Sequence, residues 1–109
     1  MAEKEVKDID SLIDQGLNTD NSELDLREKE LDDEDLIKVL ESDKVKGVTA
    51  MFLEFNDIGD EGLKALVESD KMKFLTALNL FKNKVTDEGV QALAKSKNML
   101  NLSELILRD

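Results

Sequence analysis

The sequence predicts a short α/β solenoid, with a parallel sheet on one side and helices on the other. Three observations carry that expectation. The chain repeats with a step of 27 residues, each repeat contains a stretch of alternating apolar residues, and an apolar stripe of helical spacing follows each stretch. Residues 41–50 (ESDKVKGVTA) return as residues 68–77 (ESDKMKFLTA), identical at seven of ten positions. The same step carries Leu24 to Met51, Leu78 and Leu105, and Leu26 to Leu53, Leu80 and Leu107. Leu31, Leu36, Val39, Leu40, Val45 and Val48 head six more apolar columns in the same register. A lone strand–helix unit of this size cannot bury its apolar side, so copies stack to share one core.

Taken in order, the first element is a helix over residues 3 to about 15. It has Val6, Ile9, Leu12 and Ile13 at helical spacing, Gly16 as its stop and a polar turn after it. Residues 1–21 are read as a capping helix and turn, and residues 22–109 as three full repeats plus a fourth strand. A separate recognition helix is the alternative for the N-terminal segment. A cap is preferred because an uncovered solenoid end invites aggregation, and the acidic polar face does not suit a membrane surface.

Strands are expected over residues 23–27, 50–54, 77–81 and 104–108, where alternate leucines share one face. Helix starts follow at Asp32, Gly59 and Thr86, each succeeded by acids that suit a helix N-terminus. In the third repeat the helix runs over about 87–95, with Val90, Leu93 and Ala94 as its apolar stripe. The fourth strand reaches Asp109 with no helix after it, so its edge is expected to be open, to belong to a longer array, or to be covered by a partner.

Composition narrows the function. There are 15 Lys+Arg against 26 Asp+Glu, a formal net charge of −11, so neither nucleic acid nor an anionic membrane is an expected partner. The absence of Cys and His removes thiolate chemistry, the commonest general base and the commonest transition-metal ligand. No enzyme activity, cofactor or metal is expected. Asp57, Asp60 and Glu61 lack the alternating ligands of a calcium loop, and the 32–35 acidic run reads as a solvated helix start. Glu54 and nearby acids offer a carboxylate pair, but nothing places a nucleophile or electrophile beside them. Gly59 and Gly62 belong to the repeat and not to a phosphate loop, and Lys44, Lys46, Lys71 and Lys73 complement helix ends. Without Cys or a secretory signal a cytoplasmic location is expected, export by a signal-less route being the alternative.

The run Leu78-x-Leu80-x-x-Asn83-x-Val85-x-Asp87-x-Gly89-x-x-x-Leu93 resembles the leucine-rich repeat, in the long helical subclass typified by ribonuclease inhibitor. Met51-x-Leu53-x-x-Asn56-x-Ile58-x-Asp60-x-Gly62-x-x-x-Leu66 is similar, and the resemblance extends over about 22–109. It implies a right-handed solenoid with a concave sheet, and it maps the family's inward-pointing structural asparagine onto Asn56 and Asn83. The first repeat departs, with Lys29 at the Asn column and Asp35 at the Gly column, so an irregular first coil near solvent is expected there.

The resemblance further implies a non-enzymatic module that binds a protein partner through the concave strand face. Three outward columns fall there: Asp25, Phe52, Asn79 and Ile106; Arg27, Glu54, Phe81 and Arg108; and Glu28, Phe55 and Lys82. Phe52, Phe55 and Phe81 are the expected apolar anchors, with Ile106 beside them. Arg27, Glu54, Asn79 and Lys82 are expected to set polar complementarity. The competing account is that the sheet curls and shelters these rings, or that Phe55 tucks under the loop. Phe74, in the return segment before Leu75, is expected to be buried. The alternative function is self-assembly, with copies pairing through the open fourth strand.

Overall fold

The chain, seen in a computed structural model that describes residues 6–97, 99 and 101–107, alternates helix and strand. The order is α1 (Ile9–Gly16), β1 (Glu23–Asp25), α2 (Asp33–Glu41), β2 (Ala50–Phe52), α3 (Asp60–Glu68), β3 (Ala77–Asn79), α4 (Asp87–Lys95) and β4 (Glu104–Ile106). Short 3-10 turns at Asp43–Val45 and Asp70–Met72, unanticipated in the sequence, lead from α2 and α3 back to the sheet. The four strands are parallel and lie in chain order, each paired with the next.

The register steps by 27 residues: Leu24 lies opposite Met51, Met51 opposite Leu78 and Leu78 opposite Leu105. Alternation along each strand therefore buries Leu24, Met51 and Leu78, with Leu26, Leu53 and Leu80 continuing the same layer. The core runs without a break from Ile13 to Met99. The strands are three residues long, not five, because the chain turns sharply just beyond them. Glu28, Phe55 and Lys82 take left-handed backbone, with φ of 55°, 59° and 60°. Pairing persists into the bend: Leu26 N donates to Phe52 O at 2.8 Å and Phe55 N to Phe81 O at 3.0 Å.

Helices α2, α3 and α4 form the second layer. Asp32 caps α2 in a reciprocal box with Asp35. Gly59 and Thr86, which cap α3 and α4, accept no such bond themselves. Their amides donate instead to the preceding coil: Gly59 N to Asp33 Oδ1 at 2.6 Å and Thr86 N to Asp60 Oδ1 at 2.7 Å. The first-turn aspartate thus both suits its own helix dipole and ties the next coil down. This geometry needs glycine one turn further on, because a Cβ on Gly62 would lie 2.6 Å from Asp33 Oδ1 and one on Gly89 2.5 Å from Asp60 Oδ1.

Several expectations need correction. Helix α1 starts at Ile9, not residue 3, because the Asp8 carboxylate accepts the Ser11 amide at 3.1 Å and caps it there. Val6 precedes the cap and is 87% exposed; residues 3–5 lie outside the described residues. Phe74 is exposed, not buried, since Met72 and Leu75 fill the core and turn it outward; Lys73 Nζ sits 5.3 Å over its ring. Ala94 is exposed as well, α4 being the last helix among the described residues. Asp35 in the glycine column is buried and pairs with Lys7 Nζ at 3.2 Å.

The N-terminal segment lies against α2 and β1. It buries Ile13, and Leu17 bridges antiparallel to Leu24. Lys44 fastens it by reaching Asp10 at 3.0 Å and Asp14 at 2.9 Å.

Candidate binding face

Side chains between the core leucines point away from the helices and form rows across the sheet. Strand register sets the first row as Asp25, Phe52, Asn79 and Ile106. Phe52 and Asn79 are half-buried and Ile106 is 44% exposed. In the next row Arg27 is exposed while Glu54 and Phe81 are half-buried; Arg108 lies outside the described residues. Beyond the bend come Glu28, Phe55 and Lys82, all exposed.

Two shallow hollows organise these residues. One, of about 450 Å³, brings Arg27, Glu54 and Phe55 together between the end of α1 and the first bend. The other, of about 330 Å³, lies over the sheet and brings Phe52, Asn79 and Ile106 together with Ala50 and Ala77 as its floor. Phe81 joins the first group: its ring meets Phe55 edge-on, with centroids 5.6 Å apart and planes at 86°. Lys82 Nζ lies 5.5 Å over the Phe81 ring. The rings are thus neither fully sheltered nor fully wet, and Phe55 shows the most surface of the three.

Electrostatics divide the polar residues. Arg27 donates to Asp25 through Nε at 3.0 Å and Nη2 at 2.8 Å. That contact holds the Asp25 carboxyl below its ordinary pKa and the guanidinium above its own. Asn79 Oδ1 accepts the Phe81 amide at 3.0 Å and shapes the bend. Glu54 Oε1 is buried without a hydrogen-bond partner among the described residues.

Behind the face, two asparagines close the backbone. Asn56 Oδ1 accepts from Lys29 N and Leu31 N at 3.1 and 2.9 Å, while its Nδ2 donates to Leu26 O and Leu53 O, both at 2.9 Å. Asn83 repeats this one coil on, accepting from Ile58 N at 2.9 Å and donating to Leu53 O at 2.8 Å. A family model described as Leucine Rich repeat matches residues 53–67 and 71–94, which contain both asparagines, strand β3 and most of α3 and α4. The alternating helices and the four-strand parallel sheet, together with these matches, fit a short α/β leucine-rich-repeat solenoid. Comparison with curated proteins gives no match.

The solenoid carries ladders that sequence reading missed. Thr49 N donates to Ser22 O at 2.7 Å, Thr76 N to Thr49 O at 2.7 Å and Ser103 N to Thr76 O at 2.9 Å. The hydroxyls of Thr49, Thr76 and Ser103 donate to the same carbonyls. The 27-residue step that aligns Ser22, Thr49, Thr76 and Ser103 was the available signal. Lys71 Nζ reaches back to Leu40 O and Glu41 O at 3.0 and 2.8 Å, which completes the end of α2 more directly than a dipole contact would. Among the described residues no acidic cluster is arranged to hold a metal ion, and no helix is long and apolar enough to cross a membrane.

Proposed function

We propose that this leucine-rich-repeat solenoid is a non-enzymatic interaction module that takes a protein partner on its concave strand face. Leucine-rich repeats commonly mediate protein–protein interaction, and the family is generally non-enzymatic. The observation that carries the reading is the state of Phe55. Its φ of 59° is one that a β-carbon makes costly by about 1–2 kcal/mol, while its ring is 50% exposed and adds little to the core. Glu28 and Lys82 take the same backbone at the equivalent bends, so that conformation belongs to the repeat; an aromatic ring left exposed on it is what supports a contact role. Phe81 and Phe52 extend the apolar area, Arg27, Glu54, Asn79 and Lys82 give it polarity, and Ile106 closes its far side. Asn56 and Asn83 hold the scaffold behind it. Within the family we place the repeats in the ribonuclease-inhibitor-like subclass, supported by the nine-residue helices α3 and α4.

The test uses a partner isolated by cross-linking and then titrated against variants. Replacing Phe55 and Phe81 together by Ser is expected to weaken binding by about 30-fold or more, as hot-spot aromatics do. Phe74→Ser, on the return side, should leave binding unchanged. Undiminished binding by the double variant overturns the site.

A second reading, pairing of copies through β4, is supported by the exposure of Leu105 and Ile106 along that strand. Sedimentation decides it: a monomer at high micromolar concentration contradicts self-assembly.

A further inference from the structure

The hollow over the sheet has a charge pattern that specifies what enters it. Its floor is Ala50 and Ala77, its apolar walls are Phe52 and Ile106, and a carboxylate stands at each end, Glu23 on β1 and Glu104 on β4. Register places Glu23, Ala50, Ala77 and Glu104 in one row. With neighbouring strands about 4.8 Å apart, the end carboxylates are carried on backbones about 14 Å apart. Neither side chain has a hydrogen-bond or ion-pair partner among the described residues, and both residues are exposed. No basic residue lines this hollow. Two unpaired acids with an apolar floor between them match a ligand that is basic at both ends and apolar in the middle.

We propose that the partner presents an extended basic segment that crosses the strands. One apolar side chain of that segment sits on Ala50 and Ala77 between Phe52 and Ile106, and a Lys or Arg on either side pairs with Glu23 and Glu104. An extended chain advances about 3.3 Å per residue, so the two cations stand three to five residues apart. The wider electrostatics agree, since a net charge of −11 draws cationic segments toward the protein. The inference rests on the concave-face reading above and adds the chemistry of the partner.

The experiment is a display selection of random 12-residue peptides on the immobilised full chain, followed by fluorescence anisotropy with the enriched peptides. The expected peptides carry Lys or Arg three to five positions apart with an apolar residue between. Their affinity should fall roughly five- to tenfold with Glu23→Gln plus Glu104→Gln, and the salt dependence of binding should shrink with it. The circular dichroism spectrum and melting point should not move, because both sites are exposed. Neutral or acidic peptides that still need Phe52 overturn the partner chemistry and leave the face standing. Peptides bound equally well by Phe52→Ser and by the Phe55→Ser, Phe81→Ser double variant overturn both. Poly-lysine binding as tightly as the selected peptides, or a selection that enriches nothing, overturns the proposal too.

Discussion

A φ of 59° at Phe55 and a buried carboxamide at Asn56 put two opposite demands on adjacent residues. Asn56 is there for the fold. Replacing it by Ala strands the amides of Lys29 and Leu31 and the carbonyl of Leu26, while Leu53 O keeps the Asn83 amide, at an expected cost of about 3 kcal/mol in urea denaturation. Phe55 works against the fold, and Asn is far better tolerated in its conformation. Phe55→Asn relieves roughly 1 kcal/mol of backbone strain and forfeits a ring contact worth about as much, so stability should stay within about 1 kcal/mol. Partner binding should fall in the same variant; a large loss of stability instead would make the ring structural. The asparagine column is legible because one residue type recurs at the 27-residue step. The left-handed column is not, because Glu28, Phe55 and Lys82 share no chemistry and none is Gly or Asn.

Between elements, the contact that fixes helix spacing is made by a carboxylate and a missing side chain. Asp33 fills the space where Gly62 would carry a Cβ and accepts the Gly59 amide from there. Gly62→Ala should therefore cost about 1–3 kcal/mol by overpacking, despite the better helix propensity of Ala. The cost should be smaller in an Asp33→Ala background, where the obstacle is gone; a double-mutant cycle in chemical denaturation measures the difference, and strict additivity would refute the contact. Helix positions were readable because Asp32, Gly59 and Thr86 mark their starts and the apolar columns mark their faces. Strand ends were not, since alternation continues through Leu26, Leu53 and Leu80 after the backbone has begun to turn. The exposure of Phe74 is illegible for a related reason: its neighbour Leu75 belongs to the core, and adjacency in sequence does not impose shared burial. The outward columns were legible from alternation, but how far each ring is sheltered depends on neighbours from other coils, such as Phe81 against Phe55.

Across the whole molecule, sensitivity to pH is concentrated at the N-terminal end. Among the described residues Asp8, Asp20, Asp25 and Asp60 have pKa values held below the ordinary 3.8; Asp8 caps α1, Asp20 lies in the turn after it and Asp25 ends β1. Their causes are local: the Ser11 amide and hydroxyl at Asp8, the Ser22 hydroxyl and amide at Asp20, and the Arg27 guanidinium at Asp25. The fourth, Asp60, is lowered by the Thr86 hydroxyl and amide. A carboxylate with a depressed native pKa stabilises the fold above its unfolded value and loses that contribution as pH falls through the native one. Lys44 has the opposite sign. Asp14 and Asp10 raise it above 10.5, so its contribution is complete below 10.5 and is lost as pH rises through the raised value. The fastening of α1 is thus weakened from both sides, while in the later coils the hydroxyl, asparagine and leucine layers do not titrate and the acid-sensitive contact is the Asp60 carboxylate on Thr86. Amide hydrogen exchange, compared as protection factors at pH 3 and pH 7, should show residues 9–25 losing protection before residues 50–80. Lys44→Met should abolish the alkaline loss at α1 and leave the acid loss in place. Uniform loss of protection along the chain at pH 3 would mean that the coils open together and that the N-terminal segment is not the weak end.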